Sequence, residues 1–196
     1  KRKIRDDRFR PLLGDILNLD RLEMAAKDVD IVIHMAAIKN IEISEFNPIE
    51  TIDTNVNGIV NLIKTIMKTN PSKFLNVSTD KAAAPVNLYG ATKLASDKMF
   101  AAATWQGGSN TIYSVVRYGN VVGSRGSVVQ LFLKQKETGR ITITHPDMTR
   151  FWITLEGGIN FILSSLAMMK GGEVFVPKIP SMKIIDLMDA LAPTLP

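Results

Sequence analysis

Short apolar runs alternate with longer segments of helical periodicity along this chain. The predicted strands are residues 30–37, 73–78, 113–122 and 141–144, which are rich in apolar and β-branched side chains. The predicted helices are residues 48–70, 88–104, 127–137 and 155–169. The first helix has the clearest start, because Asn47 can cap it, Pro48 fits its first position and Glu50 can complete a capping box.

Strands that alternate with helices of this length predict an α/β fold with a Rossmann-like, doubly wound parallel sheet. The run DIVIHMAA at 30–37 is continuously apolar, which predicts a strand buried on both faces. Ligands bind beyond the carboxyl ends of the strands in such sheets. Polar residues follow three of the predicted strands, at 34–39, 78–81 and 117–125, so we expect a site there.

Composition excludes several classes of protein. The chain has 196 residues, no cysteine and two histidines, which argues against a disulfide scaffold, a thiolate nucleophile and a metal centre. The net charge is +5, but the first ten residues hold six Lys or Arg and two Asp, so the basic excess is local and argues against nucleic-acid binding. No apolar run reaches the roughly 18 residues that span a bilayer. We expect a cytoplasmic protein.

Tyr89 and Lys93 form the first candidate chemical motif. They are four residues apart on a predicted helix, so they share one face. A tyrosine is a poor base at neutral pH, but a nearby ammonium lowers its pKa and favours the phenolate. Such a pair can remove the proton from a hydroxyl that is being oxidised. The alternative is a solvated helix face with no chemical role.

Asp80 and Lys81 form the second candidate motif, in the run STDK that ends a predicted strand. An acid and a base beside the Tyr89–Lys93 pair would provide the groups that an oxidation combined with an elimination requires. The alternative is a turn with a surface ion pair.

The segments IVIHMAAIKN, VSTDKAAAPVNLYGATKLASDKMF, VVRYGNVVGSRGSVV and MTRFWITLEGG resemble the extended short-chain dehydrogenase/reductases. More narrowly, they resemble the inverting UDP-N-acetylglucosamine 4,6-dehydratases of bacterial surface-glycan and flagellin-glycosylation pathways. The Thr79-Asp80-Lys81 run, its short spacing to Tyr89 and the run RYGNVVGSRG make the resemblance specific.

The resemblance implies a redox-neutral dehydration of UDP-N-acetylglucosamine with NADP as the cofactor. Tyr89 would take the C4 hydroxyl proton while a hydride passes to the cofactor, and Lys93 would support it. Lys81 would remove the C5 proton and Asp80 would protonate the departing C6 hydroxyl, with Thr79 in the same catalytic run. Lysine at position 81 is the mark of the inverting enzymes, whereas the retaining relatives have glutamate there. Lys81 has to be neutral to act as this base.

The resemblance also implies the binding residues. The cofactor positions are Asp15, Ile16, Met35, Ala36, Ala37, Lys39, Asn55, Ser78, Tyr89, Lys93 and Val121. The substrate positions are Lys39, Lys81, Asn120, Gly123, Arg125 and Arg150, of which the arginines suit a diphosphate. Asp15 is equally compatible with a turn or a helix cap, and His34 is expected to be structural.

The family begins with a strand and a glycine-rich loop that binds the pyrophosphate, and neither is found here, so we expect a fragment that also lacks a C-terminal tail. Residues 1–140 are predicted as a truncated NADP-binding domain and 141–196 as a partial substrate-binding region packed on it. Homo-oligomers are expected, and membrane attachment of a longer gene product is left open. The alternatives are a UDP-sugar C4 epimerase and an inactive fragment that serves only in assembly.

Overall fold

The computed structural model describes residues 6–106, 109–124 and 126–192. The helices are α1 (Leu19–Ala26), α2 (Ile41–Phe46), α3 (Pro48–Ile52), α4 (Gly58–Thr69), α5 (Leu88–Ala103), α6 (Val128–Glu137), α7 (Leu155–Met168) and α8 (Ile184–Leu191). The strands are β1 (Ile31–His34), β2 (Lys73–Thr79), β3 (Ile112–Tyr118), β4 (Asn120–Val121), β5 (Thr149–Ile153), β6 (Val174–Phe175) and β7 (Ser181–Lys183).

These strands form two sheets. The first is parallel, with the order β1-β2-β3-β6, and the second has the order β4-β5-β7. The strand predicted for 113–122 divides at Gly119, where the chain crosses from the first sheet to the second. A Cβ added at Gly119 would lie 2.5 Å from the carbonyl oxygen of Phe151, so the crossing has no room for a larger residue. The predicted domain boundary at residue 140 stays a prediction.

Helices cover both faces of the first sheet, which confirms the doubly wound prediction. On one face, Phe74 of β2 and Tyr113 of β3 pack against Phe100 of α5, with the Phe74 and Phe100 ring centroids 4.5 Å apart. On the other face, Leu75 of β2 packs against α7 residues that include Ile162. Successive residues of β2 therefore face two separate cores, as expected from the two-residue period of a strand.

The expectation that residues 30–37 form a strand buried on both faces is wrong. The strand is shorter, and Ile31 and Ile33 are 47% and 39% exposed. The reason is its position: among the described residues β1 pairs with β2 alone, so it lies at the edge of the sheet. Val32 packs against the core on the opposite face, and His34 is buried.

The helix predicted for 48–70 is present but is not uniform. A π-helical segment, Asp53–Asn57, joins α3 to α4, and the helix ends at Asn70 in the left-handed conformation with φ of 51°. The predicted capping box is wrong. Asn47 also ends α2, and its Nδ2 and backbone N–H both donate to the carbonyl of Ile43, at 3.0 and 2.9 Å. Asn47 and Pro48 occupy the predicted cap and first positions of α3, but the Asn47 side chain makes no capping hydrogen bond there.

The strand predicted for 141–144 is also wrong. Ile141 and Ile143 pack against a core cluster of Phe132, Trp152 and Ile184, which lies between the second sheet and helices α6 and α8. The intervening N–H of residue 142 donates to the side chain of Gln135 at 3.2 Å rather than to a neighbouring strand. The strand in this part of the fold is β5, which pairs with β4 and β7.

Candidate active site

A cleft of about 460 Å³ opens at the carboxyl ends of β1, β2 and β3. This is the edge at which parallel α/β sheets bind ligands. The predicted residues that line the cleft are Met35, Ala37, Lys39, Ser78, Thr79, Lys81, Tyr89, Lys93, Asn120 and Val121. Tyr89 and Lys93 of the first motif and Lys81 of the second therefore face the same cavity, whereas Asp80 does not line it.

Asp80 and Lys81 lie in a 3-10 turn, Asp80–Ala82, that directly follows β2. Thr79 caps this turn, because its hydroxyl oxygen accepts the backbone N–H of Lys81 at 3.4 Å. Nζ of Lys81 donates to a carboxylate oxygen of Asp80 at 3.0 Å and to the side-chain oxygen of Asn120 at 3.3 Å. The Lys81 and Asp80 side chains are 32% and 29% exposed. The ion pair of a surface turn is thus present, but Lys81 forms part of the cleft wall.

Tyr89 and Lys93 lie one turn apart at the start of α5, whose first turn is capped by Asn87. Lys93 is 3% exposed, and its Nζ donates to the carbonyl of Val77 at 2.9 Å. Burial lowers the pKa of Lys93 to about 8, against the opposing charge of Asp97. The two residues are therefore correctly placed as a pair on one helix face.

The expected lowering of the Tyr89 pKa by Lys93 is wrong for this structure. Burial raises the pKa of Tyr89, the charges of Asp80, Tyr118 and Asp97 raise it further, and only a hydrogen bond with Thr79 opposes them. The physical reason is that the negative charges around the phenol and its desolvation both favour the neutral form. The Lys93 ammonium is meanwhile engaged by the β2 backbone.

Gly90 brings the two motifs into direct backbone contact. A Cβ added to this residue would lie 2.4 Å from the carbonyl oxygen of Lys81 and 3.0 Å from Cβ of Pro85. The start of α5 therefore rests on the turn that carries Lys81. The spacing of Tyr89 and Lys81 depends on this contact, because Tyr89 directly precedes Gly90 and the contacted carbonyl belongs to Lys81.

Asn55 lies beneath the cleft rather than in its wall. It is 2% exposed and belongs to the π-helical segment. Its amide accepts from the N–H of Ile38 at 2.9 Å, donates to the carbonyl of Ile38 at 2.9 Å and donates to the hydroxyl of Thr92 at 3.1 Å. The side chain thereby joins the loop that carries Lys39 to helix α5. Its predicted contact with a cofactor stays a prediction.

Asn55→Ala is expected to lower the free energy of unfolding by about 2–3 kcal/mol, because three hydrogen bonds around a buried amide are lost. Asn57→Ala is the matched control, since Asn57 is exposed and its side chain bonds only to Asp53 among the hydrogen bonds described for it, at 2.7 Å. The control should change the same quantity by less than about 0.5 kcal/mol. Urea denaturation of both variants measures the difference, and equal losses would contradict this role of Asn55.

A second hollow, of about 230 Å³, lies on the other side of the segment that follows β1. Predicted cofactor residues line it: Asp15, Ile16 and Ala36. His34 and Ala36 face this hollow, whereas Met35 and Ala37 face the cleft. Asp15 also fits the alternative interpretation as a turn residue, because its carboxylate accepts the N–H of Leu17 at 2.8 Å.

His34 makes stability depend on pH. Burial and the charge of Lys93 lower its pKa to about 4. The unfolded chain, with a pKa near 6.5, takes up this proton first, so the neutral histidine stabilises the fold above about pH 6.5 and this stability is lost as pH falls toward 4. We expect a loss of about 3 kcal/mol over that interval.

Urea denaturation between about pH 4 and 7 measures this loss. His34→Gln should flatten the dependence, while His145→Gln, at an exposed position, should leave it in place. An unchanged slope in His34→Gln would show that other groups cause the loss.

Two other predicted substrate residues, Gly123 and Arg150, are not among the residues that line the cleft. Gly123 occupies the turn after β4 with φ of +70°, a conformation that favours glycine. Arg150 lines a separate hollow of about 170 Å³ between α6 and the second sheet, and its Nη1 donates to the carbonyl of Thr149 at 2.7 Å. Asn120 borders both this hollow and the cleft. Arg125 lies outside the described residues.

Sequence reasoning missed Asp97, a carboxylate that is 2% exposed and lies next to the site. It accepts the hydroxyl of Ser78 at 3.0 Å and Nε of Arg117 at 2.7 Å. The spacing could have indicated it, because positions 89, 93 and 97 recur every four residues on one face of α5. Tyr118, which also lines the cleft, was not singled out either.

The family follows from comparison with known proteins. Residues 1–195 match the family described as "Polysaccharide biosynthesis protein". The chain belongs to this polysaccharide biosynthesis family. Its Rossmann-like fold is confirmed by the structure of the dTDP-glucose 4,6-dehydratase DesIV from Streptomyces venezuelae, with a TM-score of 0.86 and 22% identity. That similarity covers 95% of this chain and 63% of DesIV.

Two curated relatives of this polysaccharide biosynthesis protein bear on its chemistry. The UDP-N-acetylglucosamine 4,6-dehydratase (inverting) of Campylobacter jejuni is 54% identical over 190 residues, which are 95% of this chain and 57% of the relative. The UDP-glucose 4-epimerase of Rickettsia canadensis is 40% identical over 181 residues, 91% and 53% of the two chains. The chain thus spans little more than half the length of either relative.

Across the described ranges, no group of three or more His, Cys, Asp or Glu side chains is placed to hold a metal ion. No helix in the same residues combines the length and the apolar character that a membrane crossing needs.

Proposed function

We propose that this chain is part of an enzyme that dehydrates UDP-N-acetylglucosamine to a 4-keto-6-deoxy sugar nucleotide, with inversion at C5. The observation that carries the proposal is that Tyr89, Lys93 and Lys81 line one cleft, with Asp80 paired to Lys81 at 3.0 Å. The 54% identity to the inverting dehydratase of Campylobacter jejuni supports the same activity.

Tyr89 is proposed to take the proton of the C4 hydroxyl, with Lys93 as the adjacent cation. Oxidation at C4 gives a ketone, which acidifies the C5 proton. Lys81 then removes this proton, and Asp80 protonates the C6 hydroxyl as it leaves as water. Elimination leaves a C5–C6 double bond, and a proton from solvent delivered to the opposite face of C5 gives inversion. The four side chains thus account for the proton transfers of the oxidation and elimination steps.

In this proposal, the transfer of one proton within the Lys81–Asp80 ion pair produces both the base and the acid that the elimination needs. Nζ of Lys81 lies 3.0 Å from the Asp80 carboxylate, within the range of a direct proton transfer. Moving one proton from Lys81 to Asp80 leaves a neutral amine as the base and a carboxylic acid as the proton donor. A substrate that excludes water from the cleft favours this neutral pair, because desolvation penalises the two charges.

A nicotinamide dinucleotide, NADP in our prediction, fits the two cavities that share the wall formed by residues 34–37. Ala36 and Ala37 are small enough for close approach of a cofactor, Lys93 and Ser78 lie on the cleft side, and Asp15 lies on the side of the second hollow. When bound, such a cofactor accepts a hydride from C4 and returns one to C6. DesIV, which shares the fold, was crystallised with NAD.

The test is to incubate the protein at full length with UDP-N-acetylglucosamine in deuterated water, with NADP⁺ or NAD⁺ in parallel. NMR should show a 4-keto-6-deoxy product that carries deuterium at C5 and has the inverted configuration there. The absence of any C6 deoxygenation with either cofactor would overturn the proposal.

The second candidate is a UDP-sugar C4 epimerase, which the 40% identity to the Rickettsia canadensis epimerase favours. An epimerase oxidises and reduces C4 without removing the C5 proton, so it has no task for Asp80 and Lys81. A C4-epimerised product with no deuterium at C5 would establish this activity in place of dehydration.

A further inference from the structure

Asp97 is buried beside the cleft but does not line it, and the proposed reaction assigns it no task. Its carboxylate accepts Nδ2 of Asn76 at 3.3 Å, the hydroxyl of Ser78 at 3.0 Å and Nε of Arg117 at 2.7 Å. Two of these donors belong to β2 and one to β3. Asp97 therefore ties α5 to the strands whose ends carry the candidate chemistry.

The same carboxylate lies on the face of α5 that carries Tyr89 and Lys93. Lys93 is almost completely buried, and its amine donates to a backbone carbonyl of β2. A buried ammonium needs a counter-charge, since desolvation alone drives it toward the neutral amine. Asp97 attracts the Lys93 ammonium and opposes the effect of burial.

We propose that Asp97 is a positioning residue, whose buried carboxylate orients the Ser78 end of β2 and supplies the counter-charge of the Lys93 ammonium. The inference rests on the proposed function for the task of Lys93, which is to serve as the cation beside Tyr89. The titratable groups that interact with Lys93 are Asp97 on α5 and His34 on β1, and Arg117 of β3 bonds to Asp97; Tyr89 lies one turn before Lys93 on α5.

Two substitutions in this network should shift the pH at which Lys93 loses its proton, in opposite directions. Asp97→Asn removes the counter-charge but keeps the size of the side chain, so Lys93 should lose its proton at a pH about one unit lower. Arg117→Gln removes a cation from the other side of Asp97. Lys93 should then retain its proton to higher pH, because the Asp97 charge is no longer shared with a guanidinium.

The experiment measures the protonation of Lys93 directly and does not require the enzyme to turn over a substrate. The full-length protein and its variants are acylated with acetic anhydride at a series of pH values, and mass spectrometry gives the modified fraction of Lys93 against that of exposed Lys98 in the same sample. The midpoint for Lys93 should fall in Asp97→Asn, return in Asp97→Glu and rise in Arg117→Gln. The Lys98 profile should stay in place in every variant.

An unchanged Lys93 midpoint in folded Asp97→Asn would overturn the proposal, as would a midpoint that falls in Arg117→Gln. If Asp97→Asn does not fold, the sign of the Arg117→Gln shift decides. These results are independent of dehydration. A failure of the proposed function would appear as lost C6 chemistry in the unmodified protein, whereas a failure of this inference would appear only in the Lys93 titration.

Discussion

Lys81→Met in the full-length protein is expected to reduce dehydration of UDP-N-acetylglucosamine by about 10³-fold, because general base catalysis contributes roughly 10²–10⁴-fold. The variant keeps the aliphatic stem and loses the amine that pairs with Asp80 and Asn120. Oxidation at C4 should continue, since it depends on Tyr89 and Lys93. The measurement is the rate of C5 deuterium incorporation and of C6 deoxygenation by NMR.

Lys98→Met is the matched control for this experiment, because Lys98 is exposed on α5 and does not line the cleft. It should leave the rate within about twofold of the unmodified protein. Dehydration at an undiminished rate in Lys81→Met would show that another group removes the C5 proton. Loss of C4 oxidation together with dehydration would show that Lys81 has a wider task than the elimination step.

Tyr89→Phe should slow the step that precedes elimination. We expect the rate of C4 oxidation, and therefore of every later step, to fall by about 10³-fold. The phenol oxygen is the group proposed to accept the C4 hydroxyl proton, and phenylalanine keeps the ring that packs at the start of α5. The decisive measurement is single-turnover reduction of the nicotinamide, followed by its absorbance after the sugar nucleotide is added.

Tyr113→Phe provides the control, because Tyr113 belongs to the aromatic core and lies away from the cleft. Its oxidation rate should match that of the unmodified protein. A Tyr89→Phe variant that still oxidises C4 would assign the proton to another acceptor. Tyr118, the other tyrosine of the cleft wall, would then be the next residue to substitute.

The sequence predicted most of the first sheet and its helices, since periodicity reports the burial of whole elements. The helix predicted for 88–104 is found as α5, one residue shorter, and the strand predicted for 73–78 as β2, one residue longer. The errors arose where a contact distant in the sequence decides local structure. Residues 141–144 have a strand-like composition but pack against the cluster between the second sheet and helices α6 and α8, and β1 has an apolar sequence although it lies at an edge.

Sequence reasoning brought together several residues of the cleft, but it missed Asp97 and Tyr118 and did not predict the electrostatics. Strand ends and helical spacing placed Lys81, Tyr89 and Lys93 around one cavity. The Tyr89 pKa is raised chiefly by burial, which cannot be obtained from the spacing of two residues. Asn55 shows the same limit, because its burial beneath the cleft results from a π-helical segment that no pattern of apolar residues indicated.

The contact at Gly90 has a consequence for how such a protein can change its specificity. The residue joins the backbone of the Lys81 turn to the helix of Tyr89, so a larger side chain at position 90 would displace the two groups relative to each other. Asn120 and Arg150 belong to the second sheet, on the far side of the Gly119 crossing. Because Asn120 accepts a hydrogen bond from Lys81, substitutions elsewhere in the second sheet, such as at Arg150, are the ones expected to alter specificity while the proposed geometry of proton transfer is retained.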